Sequence, residues 1–204
     1  MSDLLPTATP AVQSSQMAGQ ISAGWASGCE AQPSSHFNQR PVGHEIDLLV
    51  IHNISLPPGQ FGSSDITDFF LAKLNVAKHP FFAQIKDLRV SAHCLIRRDG
   101  HIVQYVSFAD RAWHAGVSHF AGRDNCNDFS IGIEMEGTDD CPYTDEQYAA
   151  LASLTMTLRQ QYSKITDDRI VGHSDIAPGR KTDPGPAFDW PRYKQLISKL
   201  EINN

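Results

Sequence analysis

Three side chains that lie far apart in this sequence are of the types that bind a divalent metal ion. His52 follows a short apolar run that begins at Asp47, and His173 ends a second strand-like run. Asp183 lies ten residues beyond His173, in a loop rich in Pro and Gly. Two imidazoles and one carboxylate form a ligand set that leaves one zinc position open for water or substrate. Spacing alone also allows each histidine to be a hydrogen-bonded structural residue.

Two further kinds of group could move protons or stabilise negative charge. Glu134 and Glu136 share one face of an alternating strand, and a carboxylate there is costly to bury unless it is paired or functional. The alternation does not choose between them, and both could be solvated on an exposed sheet face. Lys181 precedes Asp183 by two positions. It could stabilise an oxyanion beside a metal, or it could be an ordinary surface lysine.

The elements that would position these groups alternate between strand and helix patterns. Apolar or alternating runs predict strands at 47–52, 129–136 and 169–172, and the Asp99-Gly100 pair predicts a hairpin within 91–107. Helical stripes are predicted at 64–74, after the capping box Thr144–Gln147, and from Pro191 onward. Strands and helices alternate without a visible break or repeat. The sequence therefore predicts a single α/β domain with a mixed central β-sheet flanked by helices.

Composition excludes several classes of partner. The chain has 204 residues, of which 41% are hydrophobic, so it can form a substantial core. Its 17 basic and 23 acidic residues give a net charge of −6, which does not suit nucleic acid or a membrane surface. Neither partner is expected, and no apolar run approaches the ~20 residues of a membrane span. Four scattered cysteines without a Cys-x-x-Cys pair predict free or buried thiols.

The first residues differ in character from the rest of the chain. Residues 1–22 are rich in Ser, Thr and Gln and are interrupted by Pro6 and Pro10. No Lys or Arg precedes Arg40, so the positively charged start of a secretory signal is missing. We therefore expect a flexible tail at 1–22, a catalytic domain at 23–204 and a cytoplasmic location.

Five ordered blocks of this sequence resemble the AmpD-like zinc amidase family. The likeness extends from about Gly24 to the helix after Trp190. The blocks are Val50–Gly62, Ser91–Ile96, Arg111–Ser118, Cys126–Thr138, and Gly172–His173 with Ile176–Gly185. Members of this family share a mixed β-sheet flanked by helices with phage lysozyme-type amidases and peptidoglycan recognition proteins. The resemblance therefore implies the same fold that the alternating elements predict.

The resemblance also implies a reaction. The family's ligands for one zinc ion correspond to His52, His173 and Asp183, its catalytic glutamate to Glu134, and its oxyanion-stabilising lysine to Lys181. The implied reaction cleaves the amide between the lactyl group of 1,6-anhydro-N-acetylmuramic acid and L-alanine of the stem peptide. It would belong to cytoplasmic peptidoglycan recycling and would indirectly influence β-lactamase induction.

The partner implied by the resemblance is a small-molecule muropeptide, and no obligate protein partner is predicted. Residues expected to contact this substrate are Asn53, Arg89, Trp113 and His114. Arg89 could pair with a peptide carboxylate, and Trp113 could pack against the sugar or belong to the core. Asn125 stands where some relatives carry a second basic residue, which affects the expected preference for the third residue of the stem peptide. His93 is expected to be structural.

Two other functions fit the same blocks. One is an envelope amidase that acts on intact peptidoglycan, against which the missing export signal argues. The other is a muropeptide-binding module without catalysis. Such modules usually lack part of the ligand set, whereas all the expected site residues are present here.

Overall fold

The centre of the fold is a six-stranded mixed β-sheet, seen in a computed structural model that describes residues 19–202. The strands of the described chain are β1 (Ile21–Ser22), β2 (Trp25–Ala26), β3 (Glu30–Ala31), β4 (Phe37–Asn38), β5 (Leu48–Ile54), β6 (Cys94–Ile96), β7 (Ile102–Gln104), β8 (Arg111–Ala112), β9 (His119–Phe120), β10 (Arg123–Asp124), β11 (Ser130–Glu136) and β12 (Ile170–Gly172). The helices are α1 (Asp65–Phe70), α2 (Phe82–Ile85), α3 (Asp145–Gln161), α4 (His173–Ile176) and α5 (Trp190–Ile202). Single 3₁₀ turns lie at Val76–Lys78, Cys126–Asp128 and Asp167–Arg169.

Strand order across the central sheet is β12-β5-β11-β6-β7-β3. The four strands β12, β5, β11 and β6 run parallel, whereas β7 is antiparallel to β6 and parallel to β3. In this register Glu134 lies beside His52, one strand away. The predicted single α/β domain with a mixed central sheet flanked by helices is confirmed. Because parallel strands end at one edge, the sheet delivers both side chains to the same place.

The two faces of the sheet are covered by different helices. Ile131, Ile133 and Met135 of β11 pack in one core with buried residues of α3 and α5. The alternation predicted for this strand is confirmed, so Gly132 and Glu134 point to the opposite face. On that face α1 and α2 cover β6 and β7, while α4 packs near β5. The candidate site lies on this second face.

Local sequence signals explain where the helices begin and end. Thr144 accepts a hydrogen bond from the backbone of Gln147, and the Gln147 side chain accepts one from Thr144, so the predicted capping box is confirmed. The hairpin of β6 and β7 also forms as predicted, with Gly100 at φ +82° in its turn. The helix predicted for 64–74 is shorter, because the chain leaves the helical conformation after Phe70 and Ala72 has φ +58°.

The amino-terminal prediction is only partly covered by the structure. Residues 1–18 of the predicted tail lie outside the described residues. Within 19–22, Ile21–Ser22 form β1 and pair with β2. All four cysteines are free thiols, as predicted. Across residues 19–202, no helix combines the length and apolar character that crossing a membrane requires.

Candidate metal centre and active site

The structure brings His52, His173 and Asp183 together at one point. The Nδ1 atoms of the two imidazoles are 2.9 Å apart, and they lie 3.1 and 3.0 Å from Oδ2 of Asp183. Both histidines are buried, with exposed fractions of 1% and 2%, and the Asp183 side chain is 14% exposed. These three atoms are of suitable type and lie close enough together to bind one metal ion.

Three different elements supply these ligand atoms. His52 is the fifth residue of β5, and His173 is the first residue of α4, directly after β12. Because β12 pairs with β5 in parallel, the two imidazoles reach the same edge of the sheet. Asp183 comes from the following loop. Its backbone carbonyl oxygen accepts a hydrogen bond from the backbone N–H of Ser174 at 3.0 Å. The loop is therefore tied back to the helix that carries His173.

The protonation states of His52 and Asp183 suit a cation. Burial lowers the pKa of His52 to about 4, so its imidazole is neutral at pH 7. Burial acts to raise the pKa of Asp183, but its contacts with the His173 and His52 rings outweigh burial and hold that pKa below its usual range. To bind a metal ion, a histidine ring must be neutral and a carboxyl group must be ionised. The three residues fit one zinc ion, since two nitrogens and one carboxylate oxygen are a catalytic zinc ligand set.

Glu134 and Glu136, which the alternation could not separate, have different environments. Glu136 is buried, and its two carboxylate oxygens accept backbone hydrogen bonds from Gly62 at 2.7 Å and Arg98 at 3.1 Å. Among the described residues, Oε2 of Glu134 is buried without a hydrogen-bond partner. Burial raises the pKa of Glu134 well above its usual value, and the Asp183 charge raises it further. Glu134 is therefore the carboxylate with the capacity to exchange a proton.

Lys181 lies close enough to influence this carboxylate. Its charge lowers the pKa of Glu134, against the larger effect of burial. Its side chain is exposed, and its backbone N–H donates to the carbonyl of Ala177 at 3.0 Å. An ammonium group at the solvent edge of the cluster can meet negative charge that develops on a substrate.

The residues expected to contact substrate divide into two groups. Arg89 and Trp113 line a cavity of about 610 Å³ together with His36. Trp113 is partly exposed rather than part of the core, and its indole N–H donates to Oδ1 of Asn38 at 2.8 Å. This cavity can accept a ligand that presents a carboxylate and a flat apolar surface.

Asn53 and His114 instead contact the metal-ligand cluster or its supporting loop. The Asn53 amide nitrogen donates to Oδ1 of Asp139 at 2.8 Å and to the carbonyl of Pro184 at 3.1 Å, beside Asp183. Nδ1 of His114 lies 2.9 Å from Nε2 of His52. Both side chains thus support ligand positions, and their expected contacts with substrate stay predictions.

Two residues around this cluster were missed by the sequence analysis. Asn127 binds the backbone of the loop at 114–115, and Ser130 lies 3.2 Å from the ring of His114. Ser130 shares its strand face with Glu134, so the alternation that selected Glu134 could have pointed to it. No local pattern marks Asn127, because its contacts are made with another loop.

Comparison with known proteins agrees with the fold. The sequence profile of the N-acetylmuramoyl-L-alanine amidase family matches residues 42–186. The 1,6-anhydro-N-acetylmuramyl-L-alanine amidase AmpD of Salmonella typhimurium (strain SL1344) is 58% identical over 175 residues, covering 86% of this chain and 93% of that protein. A crystal structure of an Se-Met AmpD derivative has a TM-score of 0.85 and 54% identity, covering 88% of this chain and 99% of the other.

A more distant structure contains a ligand. AmpDh3 from Pseudomonas aeruginosa, in complex with anhydromuramic pentapeptide, has a TM-score of 0.55 and 35% identity, covering 76% of this chain and 61% of that one. The fold and the convergent ligand cluster define an amidase of the N-acetylmuramoyl-L-alanine class. Given the profile match and the extent of identity, the chain belongs to the AmpD amidase family.

Proposed function

We propose that this chain uses one zinc ion to hydrolyse the amide between the lactyl group of 1,6-anhydro-N-acetylmuramic acid and L-alanine of the stem peptide. The main support is the convergence of His52, His173 and Asp183 at 2.9–3.1 Å. Glu134 lies on the neighbouring strand, in register with His52. Membership of the AmpD amidase family supplies the chemistry to which this arrangement is suited.

In the proposed mechanism the protein moves one proton and stabilises one negative charge. A bound zinc ion supplies Lewis-acid chemistry. Glu134 takes a proton from the attacking water, and it returns a proton to the departing alanine nitrogen so that the amine leaves neutral. Burial raises the pKa of Glu134, which favours its acceptance of the proton that it later returns. The Lys181 ammonium stabilises the oxyanion that develops at the lactyl carbonyl.

The proposed substrate is a soluble muropeptide. Arg89 pairs with a carboxylate of the stem peptide, and Trp113 packs against the sugar ring, both at the cavity of about 610 Å³. The anhydromuramic pentapeptide bound to AmpDh3 supports this class of ligand. The proposed setting is cytoplasmic peptidoglycan recycling, with an indirect influence on β-lactamase induction.

The test combines metal content with product identification. Purified protein should contain about one zinc per chain, and anhydro-muramyl-tripeptide should yield free anhydro-N-acetylmuramic acid and the tripeptide by mass spectrometry. Sacculi digested in parallel should release far less product. Efficient sacculus digestion would support the envelope amidase instead. Substrate binding without hydrolysis by zinc-loaded protein would support a non-catalytic module.

A further inference from the structure

One short loop, at residues 114–115, contacts both histidine rings of the metal cluster on the side away from Asp183. Nε2 of His52 lies 2.9 Å from Nδ1 of His114, and Nε2 of His173 lies 3.1 Å from the carbonyl oxygen of Ala115. In each ring the other nitrogen, Nδ1, faces Asp183. Two consecutive residues thus contact the outer nitrogens of two ligands that are 121 positions apart in sequence.

These contacts are consistent with a single arrangement of ring protons. A ligand nitrogen carries no proton, so each ring that binds through Nδ1 must carry its proton on Nε2. His173 then donates this proton to the backbone carbonyl oxygen of Ala115, which is an acceptor only. His52 donates to Nδ1 of His114, so the proton of His114 must sit on its Nε2, 3.2 Å from Oγ of Ser130. In this series of hydrogen bonds, every donor meets an acceptor.

The side chain of Asn127 binds this loop at two consecutive residues. Oδ1 of Asn127 accepts hydrogen bonds from the backbone N–H groups of both His114, at 3.1 Å, and Ala115, at 2.8 Å. Asn127 is itself held by Arg40, whose side chain donates a hydrogen bond to the backbone carbonyl oxygen of Asn127 at 2.9 Å. Its amide oxygen therefore positions residues 114–115 next to the ligands, together with Arg180, which donates to the carbonyl of Ala115 at 2.7 Å.

Gly132 of strand β11 leaves the space that the His114 ring occupies. A Cβ built on Gly132 would lie 2.4 Å from ring atoms of His114. That distance is far inside van der Waals contact, so only glycine at this position lets the imidazole reach His52. Ser130, two residues earlier on the same strand face, supplies the acceptor at the far side of the ring.

We propose that Asn127 is a positioning residue of the metal centre, acting through His114 and Ala115 to fix the tautomer and orientation of both ligand imidazoles. This inference rests on the proposed zinc-dependent function. Outer partners of ligand histidines typically change metal affinity by about 10- to 100-fold when they are removed. Asn127 controls two such partners at once, although it touches neither ligand.

The decisive comparison is between Asn127→Ala and Asn127→Asp. The aspartate keeps an oxygen that accepts both backbone N–H groups, whereas alanine keeps none. We expect Asn127→Ala to weaken Zn²⁺ binding by about 10- to 100-fold in chelator competition, and Asn127→Asp to stay within a few-fold of wild type. In the Zn²⁺-loaded proteins both ligand rings carry their proton on Nε2, and NMR should show these Nε2 protons exchanging with solvent faster in Asn127→Ala than in wild type.

Two controls separate positioning from general destabilisation. Thr144→Ala removes a helix cap of α3 and should leave Zn²⁺ affinity unchanged. If Asn127→Ala does not fold, His114→Phe serves instead, because it keeps a ring beside Gly132 but removes the acceptor for His52. Wild-type affinity and wild-type exchange of the Nε2 protons in a folded Asn127→Ala or His114→Phe protein would overturn the inference alone. Failure of the wild-type protein to bind Zn²⁺ would overturn the proposed function as well.

Discussion

At the scale of single residues, two glutamates on one strand face show how position decides function. Glu136 accepts two backbone N–H groups, which fix its carboxylate in the structure. Glu134 has a buried oxygen without a partner among the described residues and a raised pKa. Identical side chains two positions apart therefore have different consequences when they are changed.

We predict that Glu134→Gln lowers kcat by about 10²- to 10⁴-fold, since it removes the group that exchanges a proton and keeps its shape. Zinc content should stay near wild type, because the three ligands are unchanged. Hydrolysis of anhydro-muramyl-tripeptide and metal analysis on the same sample measure both effects. Glu136→Gln is the matched variant and should lose stability rather than turnover. Wild-type kcat in Glu134→Gln would remove the glutamate from the mechanism.

At the scale of elements, the sequence predicts structure well where the signal is local. The capping box at Thr144, the turn at Gly100 and the alternation of β11 each depend on residues within a few positions of one another. The two-residue strands were not predicted. Strand β4, for example, exists because Phe37 pairs with Ala112, 75 positions away, and so short a segment has no period of its own.

The same distinction holds for the site. Residue type and place at strand ends nominated His52 and His173, and Asp183 was nominated from the loop that follows His173, all without contact information. The support by Asn127 could not be predicted, because it depends on where two loops meet in space. Elements therefore carry the ligands, and contacts between loops determine which ring nitrogen each histidine presents.

Helix α3 offers a prediction at this scale. Oγ1 of Thr144 accepts from the backbone of Gln147 at 3.1 Å and donates to the carbonyl of Arg98 at 2.7 Å, which joins the helix start to the β6–β7 hairpin. Thr144→Ala should lower the free energy of unfolding by about 1 to 2 kcal/mol. Thr144→Ser, which keeps the hydroxyl, should recover most of that loss. Urea unfolding of the three proteins measures it, and equal stabilities would contradict the role of the cap.

At the scale of the whole molecule, a buried histidine makes the fold sensitive to acid. Nδ1 of His93 accepts from the backbone of Gly132 at 3.0 Å, and Nε2 donates to the carbonyl of Asp110 at 3.1 Å. Burial, together with the nearby Arg40 charge, lowers the pKa of His93 to about 3. The folded protein thus keeps this ring neutral where an unfolded chain would protonate it.

We therefore expect His93 to reduce stability as pH falls from about 6.5 toward 3, because the unfolded state binds the proton first in that window. Above pH 6.5 neither state is protonated, and its contribution is constant. The loss should be ~1 kcal/mol per pH unit. Urea unfolding of metal-free wild type and His93→Gln at pH 7 and pH 5 tests this, since glutamine can still accept from Gly132. Equal pH slopes in the two proteins would show that this ring does not titrate on unfolding.

The metal site also links ligand binding to the stability of the whole fold. His52, His173 and Asp183 belong to three elements, and His52 and His173 are 121 positions apart, so an unfolded chain does not hold the ligand atoms together. Free zinc at 1,000 times its dissociation constant should then stabilise the folded protein by about 4 kcal/mol. For a domain of this size that corresponds to a rise in Tm of roughly 10 °C. Calorimetry with excess zinc and with chelator measures the difference, and His52→Ala should show almost none. An unchanged Tm in wild-type protein that binds one zinc per chain would mean that the unfolded chain binds the ion equally well.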